Sequence, residues 1–534
     1  MTDIKALEKA AKSGSLDRRE FVKRAGALGL AAPFATSFLS QSVHAATPKK
    51  GGKFIFGTAH GSTTDSLDPG THENGFSQNL VYTYANHLFE IDNNGQLLPE
   101  LVESYDSADG ATKWIFKIRK DVVFHNGKSL DADDVIASIN HHRGEDSKSA
   151  AKGIVEGIVD LKKTGSHEVT ATLKAGNADF PTIMTDYHLA ILPAKGDKID
   201  WESGIGTGGY IIEKLEPGVR VSYKRNPNYF KPNRAHFDEV EMIALIDTTA
   251  RQNAIMNGEV HAVNRVDPKT VHLLNRVPTL DIVETTGTLH YTFPMRVDAK
   301  PFDNYDLRMA VKLSVDREQL VKKILLGHGA LGNDHPISTS MAYHNSDLPQ
   351  RSYDPDKARF HLKKAGMEGA KLDLSASDAA FAGAVNAALL IKDSAAKSGL
   401  NINVVREPKD GYWSNVWNKK PWGACYWGGR PTEDWMFKSA YISGSKWNDT
   451  AWRTGPKADR FNAIVETARS ETDTNKRRTL YFEAQAIIND DGGALIPMFA
   501  NYIHGVSKKI GHEEKIAANW EFDGNKCVER WWMA

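Results

Sequence analysis

Cysteine is nearly absent, with two in 534 residues, Cys425 and Cys527. Neither has CxxC spacing or a metal-ligand neighbourhood, so a cysteine-based metal centre or redox motif is excluded. An oxidising compartment would permit a disulfide between them, and two separate structural thiols are the equal alternative. Net charge is absent as well, with 67 basic against 67 acidic residues. Nothing supplies the basic surface that nucleic acid needs, and no nucleic-acid partner is expected. Beyond residue 45 no apolar run reaches membrane length. The longest, 379–391, is interrupted by Asn386 and reads as a buried helix. Catalytic signatures are missing too: there is no GxSxG, no HExxH and no cysteine–histidine pattern. GIGTGGY at 204–210 lacks the lysine of a phosphate loop and leads into a strand. An enzyme is therefore not expected, a hydrolase being the enzymatic alternative. No cofactor or metal is called for.

The zero net charge hides an asymmetry. Residues 1–45 hold seven basic against four acidic side chains, leaving 60 basic against 63 acidic for the remainder. The segment LDRREFVKRAGALG carries Arg18-Arg19, then Phe21-Val22-Lys23. An apolar run from Ala25 to Leu39 follows, broken by Pro33, and Val43-His44-Ala45 offers a cleavage point. This resembles a twin-arginine signal peptide. It implies export in the folded state and a mature periplasmic chain from residue 46.

Tryptophan is concentrated instead of scarce. Residues 411–454 hold seven of the twelve: Trp413, Trp417, Trp422, Trp427, Trp435, Trp447 and Trp452. Large stiff rings give contact area at little entropy cost, so the stretch reads as a ligand wall or as a Trp-rich core. Within it Arg430 follows Trp427-Gly428-Gly429 and precedes Glu433 and Asp434. A buried guanidinium needs a carboxylate or phosphate partner. Either those two acids provide it, or Arg430 clamps an anion of a ligand.

Elsewhere the pattern is mixed α/β. Lys53–Thr58 reads as a strand. Residues 114–119 (WIFKIR) alternate as a half-buried strand, and Asp131 caps a helix to about Arg143. A strand is expected over 260–264, and a fresh unit near 289–296. Asp306 and Asp316 are expected to cap successive helices, and Asp354-Pro355 starts another that Gly366 closes. Strand 371–375, helix 379–397 and strand 401–406 make a βαβ unit. A long helix is expected from 473 to 489 and a last strand over 494–500.

Several segments together resemble the family 5 extracellular solute-binding proteins of ABC importers. They are GGKFIFGT…SLDP, LFEIDNNGQLLPELVESY, IFKIRKDVVFHNGKSLDADDV, GTGGYIIEKLEPG…YKRNPNYF (with Gly209 in place of the usual Pro), DLRMAVKLSVDREQLVKKILLGHG and YDPDKARFHLKKAG. The resemblance implies a periplasmic-binding-protein type II-like α/β fold, two lobes about a hinge plus an extra inserted domain. It places the first lobe at 47–85, 205–285 and 495–534, the inserted domain at 86–204 and the second lobe at 286–494. It also implies capture of a small peptide or peptide-like solute between the lobes and delivery to an ABC permease and ATPase complex. The expected binding protein is a monomer.

By the same resemblance, peptide-binding members carry, after the pocket tryptophan, an aspartate that holds the ligand's α-ammonium. This chain has Arg430 there. The sign is reversed, and an anionic opine-like or sugar-conjugate ligand becomes the alternative. Candidate ligand contacts are His60 in the first loop, Tyr291 at the start of the second lobe, Trp413, Trp417, Trp427, Gly429, Arg430, Asp434 and Trp435. Arg296 is a further candidate anion contact. His125 is expected to be structural, and His141-His142 to favour a helix end. A chemoreceptor-partner or chaperone role stays open at this point.

Overall fold

The computed structural model describes residues 48–72, 74–408, 412–430 and 432–534, without the side chains of Trp413 and Ser414. The twin-arginine segment lies outside the described residues. In the first strand, Lys53–Thr58, Phe54 and Phe56 are fully buried, and Phe54 stacks on Phe237 at 4.7 Å. The strand pairs in parallel with Glu239–Ala244, Lys53 opposite Glu239, and with Ala262–Val263. Ala262–Val263 is the short remnant of the strand expected over 260–264. Tyr210–Glu216 and Arg220–Arg225 add a hairpin. These strands enclose one apolar core together with Phe522, Val528 and Trp531 near the chain's end.

A second core belongs to the inserted domain. Its antiparallel sheet runs in the order Val102–Ala108, Lys113–Ile118, Glu168–Leu173, Ile158–Gly165. Trp114, Phe116 and Ile118 point inward while Lys113 and Lys117 face solvent, the period-two pattern of a sheet covered on one face. Helix Ala132–Asn140 starts on Asp131, whose carboxylate accepts from the N–H groups of Asp133 and Asp134.

Charge joins this domain to the first lobe. Glu90 and Glu100 meet Glu529 in a buried cluster where the three carboxylates lie close enough to share an ion. Two ammonium groups fill that role. Lys526 Nζ lies 2.5 Å from Glu100 and 3.2 Å from Glu90, and Lys231 Nζ lies 2.6 Å from Glu100 and 3.0 Å from Glu529. Arg530 completes the balance beside Glu90 at 3.7 Å. Mutual neutralisation is what makes so much buried charge tolerable.

In the second lobe the 13-residue strand Leu280–Thr292 runs antiparallel to Met498–Ser507. Cys425–Trp427 and Gly329–Leu331 extend it on either side, so one nine-stranded sheet continues from the first lobe into the second. The fresh unit expected near 289 does not begin with a new strand. The strand is continuous, and a register shift between Thr286 and His290 marks the passage. Gly287 sits there, where a Cβ would fall 2.2 Å from the Tyr502 ring. The last large strand begins at Met498, later than expected, because Pro497 has no N–H to give to a ladder.

Helices cover both faces of this part of the sheet. Tyr305–Leu313, Pro355–Ala365 and Ala384–Ala396 pack on one side, and Glu433–Ala440, Pro456–Ser470 and Thr474–Asp490 on the other. The expected βαβ unit is present, with Lys371–Ala376 parallel to Asn401–Arg406. Its helix starts at Ala384 because Gly383, at φ 85°, turns the chain left-handed just before it. Asn304 caps the helix assigned to Asp306, accepting from Leu307 N at 3.1 Å, while Asp306 binds His361 and Lys364. Cys425 and Cys527 are buried, free thiols in different cores.

The inserted domain also touches the second lobe. Asp179, at the head of a short helix, lies 2.7 Å from Arg477, and Ala178 N donates to Arg469 O at 2.6 Å.

Candidate functional site

The tryptophan-rich stretch divides by position. Trp422 is fully buried and donates to Phe293 O; Trp452 donates to Asp491. Both are core. Trp417 and Trp427 are held by one acid, each indole N–H donating to Asp449 Oδ2 at 3.1 Å. Asp449 is buried, and burial pushes its pKa up to about 6 against the pull of the two indoles. Trp447, 52% exposed, leans on Trp427 with ring centroids 6.3 Å apart. Trp417, Trp427 and Trp447 thus form an aromatic wall that is mostly core: Trp427 is 6% exposed and buried among Met436 and Phe437, Trp417 packs against that cluster, and Trp447 alone is largely exposed. Trp435 lies one turn into helix Glu433–Ala440, half-buried, its N–H accepted by Thr432. Trp413 is on helix Tyr412–Asn415, and its side chain lies outside what the structure describes.

Arg430 stands at the open end of this wall. Its Nη1 donates to the carbonyls of Gly428 at 2.9 Å and Gly429 at 3.2 Å, and its guanidinium lies over the Trp427 ring at 5.9 Å. The two acids that follow it are engaged elsewhere. The Glu433 carboxylate accepts Tyr343 N at 2.8 Å, and Asp434 pairs with Arg469 at 3.3 Å. Thr432 caps the helix at this point and turns both acids into the interface with the inserted domain. Asp434 therefore belongs to that interface and not to the surroundings of Arg430. Among the described residues Arg430 has no carboxylate within ion-pair distance. Burial draws its pKa down, opposed by the charges of Tyr187 and Asp186 from the inserted domain. Asp186 is itself fixed, accepting His188 Nδ1 at 2.6 Å and His188 N at 3.0 Å.

Gly429 is needed where it stands. A Cβ there would fall 1.8 Å from Thr288, on the strand that joins the lobes. Tyr291, three residues on, stacks on Phe381 at 4.0 Å, and its strand partner is Tyr426, 44% exposed. Burial raises the Tyr291 pKa, and Arg265 pulls it back.

Arg265 brings in the first lobe. Its Nε donates to Glu521 at 2.7 Å, and Glu521 also accepts Asn264 Nδ2 at 2.7 Å. His60 lies alongside, packed against Gly75, with its Nδ1 buried and unpartnered. Burial, with the Arg265 charge second, lowers the His60 pKa to about 4, so the ring is neutral at pH 7. Contacts thus relate His60 and Tyr291 to Arg265, Gly429 to Thr288, and Trp417 and Arg430 to Trp427. Asp434 stands apart from them.

Sequence reasoning missed Arg265, Glu521, Asp186 and Asp449. Asp449 sits inside the tryptophan stretch and was findable as its acid. The other three carry no motif. Arg296 is spent on Asp298 and Asn418. His125 bonds Gly208 O at 3.0 Å in a strand turn, and His141 and His142 bond Asp68 and Ser149.

The chain is 24% identical over 527 residues to Di/tripeptide-binding protein 1 of Pseudomonas aeruginosa, covering 90% of this chain and 95% of that one. HbpA2 from Haemophilus parasuis superposes with a TM-score of 0.77 at 18% identity, over 89% of this chain and 99% of that one. AgaA of A. tumefacien R10, solved with agropinic acid, gives 0.71 at 19% identity, over 90% and 99%. These structures establish the fold, two lobes of the type II binding-protein kind. The sequence model described as bacterial extracellular solute-binding proteins, family 5 Middle, matches residues 96–449, more than half of the chain. The chain belongs to the family 5 bacterial extracellular solute-binding proteins.

Proposed function

We propose that this protein is the periplasmic solute-binding component of an ABC importer. It encloses a small peptide or peptide-like solute between its lobes and presents the closed form to the permease and ATPase. The assignment of 47–85, 205–285 and 495–534, of 86–204 and of 286–494 to three domains belongs to the same reading, as does export through the twin-arginine segment. The observation that carries it is Arg430: a guanidinium on an aromatic wall, at the gap between lobes, with hydrogen-bonding capacity left over. A desolvated cation of this kind is complementary to a carboxylate. Relatives named for di- and tripeptide binding support the peptide class. Arg430, standing where the resemblance implies an acid, favours the second reading, a non-peptide anionic solute of the opine kind.

Purified mature protein should be screened by thermal shift and native mass spectrometry against dipeptides, tripeptides and opine-type conjugates. A true solute at 100 times its dissociation constant stabilises by about 2.7 kcal/mol at 1:1 stoichiometry. Hydrolysis of a bound compound, or no stabilisation by any compound, overturns the proposal.

A further inference from the structure

Two arginines, one on each lobe, keep unspent donors: half-buried Arg430, and Arg265, whose side chain is 54% exposed. On the second lobe, Nε and Nη2 of Arg430 have no partner among the described residues; its hydrogen bonds to Gly428 O and Gly429 O both come from Nη1. On the first lobe, Arg265 uses Nε on Glu521, and both of its Nη groups are without a partner among the described residues. A short run of contacts links the two. Arg430 follows Gly429, Gly429 packs on Thr288, and the Tyr502 ring packs at Gly287 beside it. Val266, next to Arg265, donates to Ile503 O on the same strand as Tyr502.

Arg265 is also held in place. Its backbone is left-handed, at φ 50°, a conformation that costs a non-glycine residue energy and persists where surroundings fix it. The fixing group is the buried guanidinium of Arg251. It donates to Leu245 O at 2.6 Å, Ile246 O at 3.1 Å, Asn264 O at 3.0 Å and Arg265 O at 3.1 Å. Two of these carbonyls belong to the bend that carries Arg265 and two to the end of the neighbouring strand, with Thr248 Oγ1 3.5 Å from Nη2, so one buried cation ties the bend to that strand. Beside it His60 Nδ1 is buried without a partner among the described residues.

We infer that the solute carries two anionic groups, one received by Arg430 of the second lobe and the other by Arg265 of the first. This rests on the solute-binding reading above and narrows its ligand class to dicarboxylates. The reason is electrostatic. Closing brings like charges on opposite lobes toward one another, which disfavours the closed form of the empty protein. Glu521 offsets part of the Arg265 charge, and the positive remainder is left to the solute. An anion at each end turns that repulsion into two attractions present in the closed form alone, the differential contact that drives closure. A monocarboxylate satisfies one lobe and leaves the other cation facing the gap.

Isothermal titration with matched pairs tests this. Ala-Glu and Ala-Gln differ by one carboxylate at nearly equal shape, and an N-(1-carboxyethyl) amino acid and its monoamide form the non-peptide pair. The dianionic member of a pair should bind roughly 10–100-fold more tightly, the range for one charge-assisted hydrogen-bonded contact. Arg265→Gln should abolish that preference, and Arg265→Lys should keep part of it. Arg430→Gln should weaken all four compounds. Unliganded melting curves of each variant report folding separately. Equal binding within each pair, or an intact preference in Arg265→Gln, overturns the inference while the solute-binding role stands. Binding of the non-peptide pair alone, with the preference present, keeps the inference and removes the peptide. No binding by any of the four overturns both.

Discussion

Asp179→Ala probes closure directly. The Asp179 carboxylate and Arg477 are 2.7 Å apart, both nearly excluded from solvent, and join the inserted domain to the second lobe. Arg477 also lies over the Tyr343 ring at 5.5 Å and the Tyr481 ring at 5.3 Å, and Tyr481 OH accepts its Nη2 at 3.2 Å. Removing one member of a buried pair strands the other, at about 3–5 kcal/mol. An open form in which these surfaces part would escape this cost, because Arg477 would meet water there. The loss therefore falls on the closed form. At about 3 kcal/mol the closed-to-open ratio drops by roughly 150-fold. The solute is enclosed by the closed form, so apparent affinity falls with the closed fraction. If the wild-type protein is mostly closed when empty, part of the loss is absorbed before affinity changes, and a rise in dissociation constant of at least roughly 10-fold is the lower expectation. Calorimetric titration measures it, with small-angle scattering to follow compactness with and without solute. A folded variant with an unchanged dissociation constant would refute the reasoning.

Two further outcomes follow from the same geometry. Burial, with the charge of Asp179 adding to it, raises the Glu433 pKa to about 7 from 4.5. The native state thus holds a proton that the unfolded chain releases, so this group costs stability as pH climbs from about 4.5 to 7. Glu433→Gln keeps an acceptor for Tyr343 N and should stabilise by on the order of 2–3 kcal/mol at pH 8, with no difference at pH 4.5. Urea unfolding at both pH values decides; an offset independent of pH argues against it. Gly429→Ala places a methyl 1.8 Å from Thr288. It should lower solute affinity at least roughly 10-fold by displacing the loop that carries Arg430, with a smaller fall in melting temperature. Wild-type binding in that variant would mean the loop has room that the structure does not give it.

Local chemistry made much of the fold legible. The alternation in WIFKIR, the caps at Asp131, Asp316 and Asp354, and left-handed Gly366 need a few adjacent residues, and each stands where that logic puts it. The site was legible in composition and less so in pairing. Arg430, Glu433 and Asp434 are close in sequence, but Thr432 starts a helix between them and sends the acids to a different surface. Arg265 depends on Arg251 grasping a bend from outside it, and Asp179 on an arginine far along the chain. Such partners meet through tertiary packing, which carries no local periodicity. The passage between lobes was hidden for a related reason: a strand that bends by shifting register looks, residue by residue, like any other strand.

The cluster of Glu90, Glu100 and Glu529 with Lys231, Lys526 and Arg530 bears on how many parts can move. Sliding these surfaces apart would separate six mutually neutralised charges, which ties the inserted domain to the first lobe. On the proposed division, three domains would then share one degree of freedom, rotation about the two strands that cross between lobes. The inserted domain becomes a lever arm on that rotation, with the Asp179–Arg477 contact as its stop.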